Sequence, residues 1–430
     1  MPGFCFPKVD ASAQSTNDPW LHRFAVLTAI ITFFLLGIGG LVTSHEAGMS
    51  VPDWPTSYGY NMFWLPFKFW HGGAFFEHSH RLLASGTGFL TTILAIWLWL
   101  KGPRKWMKWL GVIAFLLVVA QGVLGGLRVT LKMDGLGVIH GVVAQSFFIL
   151  MCAIALFTSR FWGKWSAGEK MFCVTRGLRT LVLATTILIF CQLVLGTTMR
   201  GQHAGLAIPD FPLAYGKVWP VASTDAVAGY NANRIEINGE NPITAFEIEL
   251  QMVHRVLAVV ILISVALCAW WERRLNFNRY ELRTRRTLRG LIQNLLISVG
   301  LYALVQLAVY VWAIVQFGKL DFSTLIFVGL NVFYVVACAS FSAASIWSSK
   351  IGSGWLGLIL LQIGLGAWTI WSNKAAVVAT AHVLVGALSL VTGALWCIIA
   401  FRRPMSLPEI VPAKTISGAF AAPPAMAANK

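Results

Sequence analysis

The feature that most constrains this chain is a phrase it writes twice: AGMSVPDWPTSYG at residues 47–59 and AGLAIPDFPLAYG at 204–216, each just after a long apolar stretch. A repeat of this kind sets the architecture, because each copy must be carried by an equivalent group of elements. The echo continues. EHSHRLLA (77–84) answers QMVHRVLA (251–258), QGVLGGLRV (121–129) answers QIGLGAWTI (362–370), and VIHGVVA (138–144) answers TAHVLVG (380–386).

Apolar runs of spanning length, about 20 residues, lie at 23–43, 82–100, 109–127, 138–158, 178–198, 253–271, 291–316, 323–347, 354–371 and 378–400. Four helices separate equivalent points in the plain form of the pattern. An even number preserves direction, so the repeat is parallel, with a pseudo-two-fold axis along the membrane normal. The expected fold is an all-α polytopic membrane protein of two four-helix bundles, 23–160 and 178–400. A linker at 161–177 joins them, and segments 1–22 and 401–430 flank them, the second with the composition of a disordered tail. The second half carries an extra helix pair, 291–347, whose main polar residues are Gln293, Asn294 and Gln306; a peripheral packing role is expected for it.

Composition agrees: 57% of the 430 residues are hydrophobic and 12% charged, which excludes a water-soluble domain. The formal charge of +16 does not indicate nucleic acid, because Lys and Arg fall in short clusters between apolar runs. By the positive-inside rule, the clusters at 101–108, 159–179, 272–290 and 401–404 face the cytoplasm, as do both termini, in a multi-pass protein of the cytoplasmic membrane. The paired loops then lie on the outer side. No cleavable signal peptide is expected, since Lys8 and Asp10 precede a polar stretch and the first apolar run is long enough to span. The seven cysteines, at 5, 152, 173, 191, 268, 338 and 397, avoid the outer loops, so a disulfide there is not available.

Of nine histidines, four occupy matched positions: His80 and His140 in the first half, His254 and His382 in the second. All four are expected in the first turns of helices, at the outer end of the membrane. Two imidazoles from different helices at one depth are the arrangement for two axial ligands on one iron, with a flat macrocycle between the helices. Structural zinc prefers four ligands and neither pair brings a matched third; copper stays open on ligand chemistry alone. Arg81 and Arg255 follow the first histidine of each pair and suit carboxylates such as propionates, the alternative being that they snorkel to the interface. Arg128 and Arg200, at the outer ends of two further helices, are weaker candidates for the same task.

The repeat also breaks. Glu77 precedes His80 by three residues, on one helix face, where the second half has Gln251. A carboxylate beside an apolar pocket is costly unless it works or is paired, so the first bundle is read as catalytic and the second as holding a cofactor. The alternative is a solvated glutamate favoured by the helix dipole. PDWP and PDFP read as turns that place Trp54 and Phe211 as covers over each macrocycle. His45, Glu46, His71, His78 and His203 have no clean repeat partners and read as loop residues, with the role of His78 open.

Together, the helical pattern from about 23 to 400, the paired AG(M/L)xxPD(W/F)PxxYG loops, the EHSHR and VHR helix starts and the later histidines His140 and His382 resemble the haem A synthases. The resemblance implies oxidation of a methyl group of haem O to the formyl group of haem A, by successive hydroxylation, for cytochrome oxidase. It implies that His254 and His382 hold a haem b cofactor and that His80 and His140 bracket the substrate haem O. Glu77 falls on the family glutamate, which would stabilise positive charge on the activated methyl carbon or take a proton from attacking water. An electron acceptor, and a haem O synthase handing over substrate, are implied as partners. The chain departs from the family in two places: the cysteine pair of many bacterial members is replaced by Val51 and Ser57, with Ile208 and Ala214 at the second-half equivalents, and the eight-helix pattern lacks the pair at 291–347. Two other classes compete. A bis-histidine electron-transfer cytochrome explains the histidines but not Glu77 opposite Gln251, and a parallel-repeat transporter would place its polar residues near mid-membrane, which is almost bare here.

Overall fold

A computed structural model describes residues 18–102, 104–166, 175–233, 242–280 and 351–402. Ten α-helices are described: α1 (Pro19–Ser44), α2 (Gly72–Lys101), α3 (Lys105–Leu131), α4 (Asp134–Thr158), α5 (Arg160–Ser166), α6 (Arg176–Gly201), α7 (Thr224–Ala232), α8 (Ala245–Tyr280), α9 (Ile351–Trp371) and α10 (Ala376–Arg402). Among the described residues there is no strand, and eight helices, all but α5 and α7, are long and apolar enough to cross a membrane. The expected all-helical membrane fold is what is found. The extra pair at 291–347 lies outside the described residues, as do Gln293, Asn294, Gln306 and most of the linker and flanking segments.

Local chemistry explains the helix ends and the tolerance of polar residues within spans. Asp18 caps α1, its Oδ1 accepting from Trp20 N–H at 2.9 Å just ahead of Pro19, which needs no donor at that position. Within the spans, threonine hydroxyls donate to the carbonyl four residues back, as at Thr28, Thr87, Thr91, Thr185 and Thr197. These polar atoms are thereby satisfied within their own helix, as a membrane-spanning element requires. Large apolar side chains such as Phe34 and Phe89 are left pointing outward.

Helix contacts close two rings. In the first, α1 packs on α2 and α4, and α3 on α2 and α4; in the second, α6 packs on α8 and α10, and α9 on α8 and α10. The rings meet where α10 lies against α1 and α4, and α4 against α6. Each ring is filled by an apolar cluster away from the paired loops. Leu94, Leu98, Met107, Phe147 and Met151 fill the first; Val182, Val265, Trp355 and Leu390 fill the second, with the Trp355 Nε1–H donating to Ser389 O at 2.8 Å.

Several helices start earlier than the apolar runs. α2 begins at Gly72 and α8 at Ala245, because the stretches ahead of the runs are polar yet helix-competent. The four matched histidines therefore sit about two turns inside their helices rather than in the first turn.

Candidate functional site

The two loops have the same internal structure. Asp53 Oδ1 accepts from Tyr58 N–H at 2.6 Å and Oδ2 from Gly59 N–H at 2.9 Å; Asp210 accepts from Tyr215 and Gly216 at 2.7 and 2.9 Å. Burial pulls Asp53 upward, but hydrogen bonds from Thr56, Gly59 and Tyr58 outweigh it and hold its carboxyl below the ordinary value. Tyr58 and Gly59 take φ of 52° and 75°, and Tyr215 and Gly216 take 51° and 73°. These pairs form tight reversals closed by the bridges Ser57 to Tyr60 and Ala214 to Lys217. The Trp54–Pro55 and Phe211–Pro212 bonds are both cis. Tyr58 Oη donates to Ser50 O at 2.6 Å, and Tyr215 Oη to Ala207 O.

The helix below holds each loop down. Val51 N–H donates to Glu77 Oε2 at 2.8 Å, and Ile208 N–H donates to Gln251 Oε1 at 2.7 Å. Val51 and Ile208, equivalent in the repeat, are thus each tied by a main-chain bond to a buried Glu or Gln. Arg81 donates from Nη1 to Asp53 O and Thr56 O at 2.6 and 3.0 Å, and from Nη2 to Val51 O and Glu77 Oε1 at 2.9 and 2.7 Å. Arg255 does the same for the second loop, with Leu213 O and Asp210 O at 2.8 Å each. The terminal nitrogens expected to meet propionates are engaged by the loops. Removing the first clamp, in Arg81→Ala, is expected to strip four bonds and leave the Glu77 carboxylate without its cation. A loss of about 2–4 kcal/mol follows, read as a lower unfolding midpoint and faster proteolysis within 47–59; an unchanged midpoint and cleavage rate would show that the loop is held by other means.

Trp54 does not hang free over the helices. Its ring lies against Gly126 of α3, where an added Cβ would collide with it, and Phe211 packs on Trp371 of α9, ring centroids 6.1 Å apart. Each aromatic residue thus pins its loop to the helix across the bundle.

Under this roof stand the four histidines. His80 of α2 and His140 of α4 face each other with ring centroids 6.5 Å apart and planes at 71°. His254 of α8 and His382 of α10 occupy the equivalent positions of the second ring. Each ring rests on a glycine of a neighbouring helix. An ideal Cβ on Gly39 of α1 would be 3.1 Å from His80 Nε2, and on Gly125 of α3, 3.4 Å from His140 Cε1. In the second ring, one on Gly196 of α6 would be 3.3 Å from His254 Cε1, and on Gly366 of α9, 3.1 Å from His382 Cε1. Gly39 and Gly196 are equivalent in the repeat, as are Gly125 and Gly366. A side chain at any of them would push an imidazole toward the bundle axis, where these glycines let it stand back.

Three glutamines, of which Gln121 and Gln362 are repeat equivalents, brace the same histidines. Gln121 Nε2 donates to His140 O at 3.2 Å and Gln192 Nε2 to His254 O at 2.9 Å. His382 Nδ1 lies 3.1 Å from Gln362 O. A carbonyl can only accept, so Nδ1 carries the proton, and the Nε2 lone pair faces the Gln362 side-chain amide, Nε2 to Nε2 at 3.2 Å. The Nδ1 atoms of His140 and His254 are buried with no hydrogen-bond partner. An orphaned buried nitrogen is unusual; each of these lies toward the glycine of the neighbouring helix, 3.7 Å from an ideal Cβ on Gly125 and 3.9 Å from one on Gly196. With metal–nitrogen bonds of about 2 Å, a 6.5 Å separation of the first pair's centroids admits one metal atom between the rings. Among the described residues no group of three or more His, Cys, Asp or Glu is placed to hold a metal ion.

Three residues read as loop residues stand differently. His78 is fully buried on α2, with Nδ1 3.5 Å from Ser57 Oγ and its ring edge-on to Trp70. Glu46 and His203, read as lacking repeat partners, occupy equivalent positions after α1 and α6, both with positive φ (53° and 56°), and meet each other at 3.8 Å. His45 caps α1 and stacks on Phe76, and His71 caps α2. Arg200 reaches across to the first ring, donating to Gly40 O at 2.6 Å and to Ser44 Oγ.

Trp54 also yields a test of the roof. Gly126→Ala puts a methyl where the indole packs, and the ring must move. With each pair read as the sequence implies, as bracketing a haem, the variant is expected to lose haem from the His80–His140 site severalfold faster than wild type while the His254–His382 site is unaffected, as followed by dissociation kinetics; equal loss from both sites would mean a general loss of stability.

Comparison with known proteins fits this geometry. The family model for cytochrome oxidase assembly proteins, COX15-CtaA, matches residues 22–316. The Heme A synthase of Halalkalibacterium halodurans is 28% identical over 212 residues, 47% of this chain and 68% of that relative. The Heme A synthase of Geobacillus kaustophilus is 28% identical over 253 residues, 58% of this chain and 71% of the relative.

Proposed function

The chain belongs to the COX15-CtaA family of cytochrome oxidase assembly proteins, and from that premise we propose that it converts haem O to haem A in the membrane. The reaction takes a methyl substituent of the macrocycle to a formyl group. Each of two hydroxylations adds an oxygen from water and releases two electrons and two protons, the electrons passing to an acceptor; loss of water from the resulting gem-diol leaves the aldehyde. The single observation that carries this reading is the facing pair His80 and His140, 6.5 Å apart on glycine steps and repeated by His254 and His382.

The division of labour follows the break in the repeat. His80 and His140 bracket the substrate haem O, and His254 and His382 hold a haem b cofactor, which supplies one-electron chemistry when bound. Gly39, Gly125, Gly196 and Gly366 give the imidazoles their set-back, and Gln121, Gln192 and Gln362 fix the backbone or ring beside them. Glu77 is the catalytic carboxylate, positioned to stabilise positive charge at the activated carbon or to take the proton of attacking water. Val51 N–H and Arg81 hold that carboxylate in place. Arg81 and Arg255 serve haem binding through the roof: their guanidiniums hold the loops above each macrocycle. The apolar walls exclude bulk water from the reacting carbon.

Glu46 and His203, equivalent in the two halves and in contact with each other, support a two-fold relation passing between them. The halves thus form a substrate bundle, 23–160, and a cofactor bundle, 178–400. The roofed ends face the outer side of the cytoplasmic membrane and the basic clusters face the cytoplasm. Substrate arrives from within the bilayer, handed over by a haem O synthase. Expression in cells that make haem O but lack their own conversion activity tests the function. The expected result is the appearance of haem A in extracted membranes; extracts with haem O alone, at normal protein levels, would overturn it.

A further inference from the structure

One cation in the first ring has no adequate partner. Arg128 lies near the roofed end of α3, one helical turn beyond Gly125, the glycine that receives His140. Its guanidinium lies beside Gly48 of the loop and Gly137 of α4: an ideal Cβ would stand 2.5 Å from Nη1 at the first and 2.9 Å from Nε at the second. Gly137 is itself one turn from His140 along α4. The guanidinium is therefore set between loop, α3 and α4, directly above the His140 end of the pair. Its Nε is buried with no hydrogen-bond partner. Among the described residues its one counter-charge is Asp134, 3.7 Å away and 62% exposed, a contact too long and too wet to satisfy it. By contrast, both terminal nitrogens of Arg81 are engaged by the loop and Glu77. The repeat places Thr369 at the position equivalent to Arg128, so this cation belongs to the first half alone, like Glu77.

We propose that Arg128 is the carboxylate-binding residue of the first-half site, taking a propionate of the haem that His80 and His140 bracket, and so selecting which edge of the macrocycle lies under the α3–α4 turn. The inference rests on the reading of that pair as the substrate site. A guanidinium with an unfilled donor suits a carboxylate, and the match is charge-assisted. The small residues around it, Gly48 and Gly137, are what allow the guanidinium to sit at this place. Fixing one edge of an asymmetric ring fixes the others, so Arg128 also determines which methyl group is presented to Glu77.

The test uses full-length protein in detergent, isolated from cells that make haem b but no haem O, with two probes: iron protoporphyrin IX and its dimethyl ester. Equilibrium titration is followed by the Soret band for wild type, Arg128→Gln, Arg128→Lys and His80→Ala. Wild type is expected to bind the diacid about tenfold or more tightly than the ester. Arg128→Gln should lose that preference by weakening the diacid alone, and Arg128→Lys should restore part of it. Equal binding of both probes by wild type, which needs no variant to fold, would overturn the proposal, as would parallel weakening of both probes in Arg128→Gln. His80→Ala is expected to abolish binding of both probes at this site. If it changes neither, the substrate-site reading fails and the Arg128 assignment falls with it; if it abolishes binding while Arg128→Gln keeps the diacid preference, the Arg128 assignment fails alone.

Discussion

Glu77→Gln is expected to give a folded protein that binds haem O and does not convert it, with turnover down by about 10²–10⁴-fold. The second half already contains the control. Gln251 stands at the equivalent position, is buried as Glu77 is, and accepts a main-chain N–H from Ile208 at 2.7 Å where Glu77 accepts one from Val51 at 2.8 Å. An amide can therefore hold this loop. What it cannot provide is negative charge or a proton acceptor of carboxylate strength. The variant separates two roles that overlap in the wild type: anchoring survives and chemistry does not. Proteolysis of 47–59 should proceed at the wild-type rate, and extracted haem should be haem O in place of haem A. Normal conversion would reduce Glu77 to a loop anchor. A loosened loop would instead assign the loss to the broken pair with Arg81, 2.7 Å away.

The second large effect is on which haem is lost. His254→Ala or His382→Ala is expected to give protein without the retained haem b, whereas His80→Ala or His140→Ala should keep haem b and lose the substrate haem. The structural reason is that the rings are paired within each helix ring and not between them: α2 and α4 carry one pair, α8 and α10 the other, each ring seated on its own glycine. On the proposed assignment, replacing one imidazole would remove one of the two ligands and open a space over that glycine, leaving the other pair untouched. The stoichiometry of bound haem, measured by pyridine haemochrome after extraction, should fall by half in every single variant, with the identity of the missing haem set by the half. Loss of both haems in each variant would mean that the two sites do not stand independently.

The repeat was legible because its motifs are polar islands in an apolar chain. The four histidines, Glu77 opposite Gln251 and the loop aspartates could all be picked out by comparing the halves. Helix starts were not legible to the same degree. Segments such as GGAFFEHSHR interrupt the hydropathy signal yet continue the helix, so the histidines lie deeper than the apolar runs suggest. The glycine steps were missed although Gly39 and Gly196, and Gly125 and Gly366, fall at matched repeat positions. Glycine is common in these spans, and only the packing of an imidazole against each one distinguishes them. Arg81 and Arg255 looked free because main-chain acceptors leave no mark in a sequence; the carbonyls they bind belong to residues chosen for other reasons. His78 and the Glu46–His203 contact stayed hidden for a related cause, since burial of the first and convergence of the other two arise only when loops and rings are assembled.

The central claim, that the first half oxidises the haem held by His80 and His140 while the second retains its own, is tested most directly by one inventory. Haem is extracted from the purified wild-type protein, made in cells supplying haem O, and separated by chromatography. The account predicts haem b together with haem A. Haem b alone would contradict it, leaving a bis-histidine electron carrier.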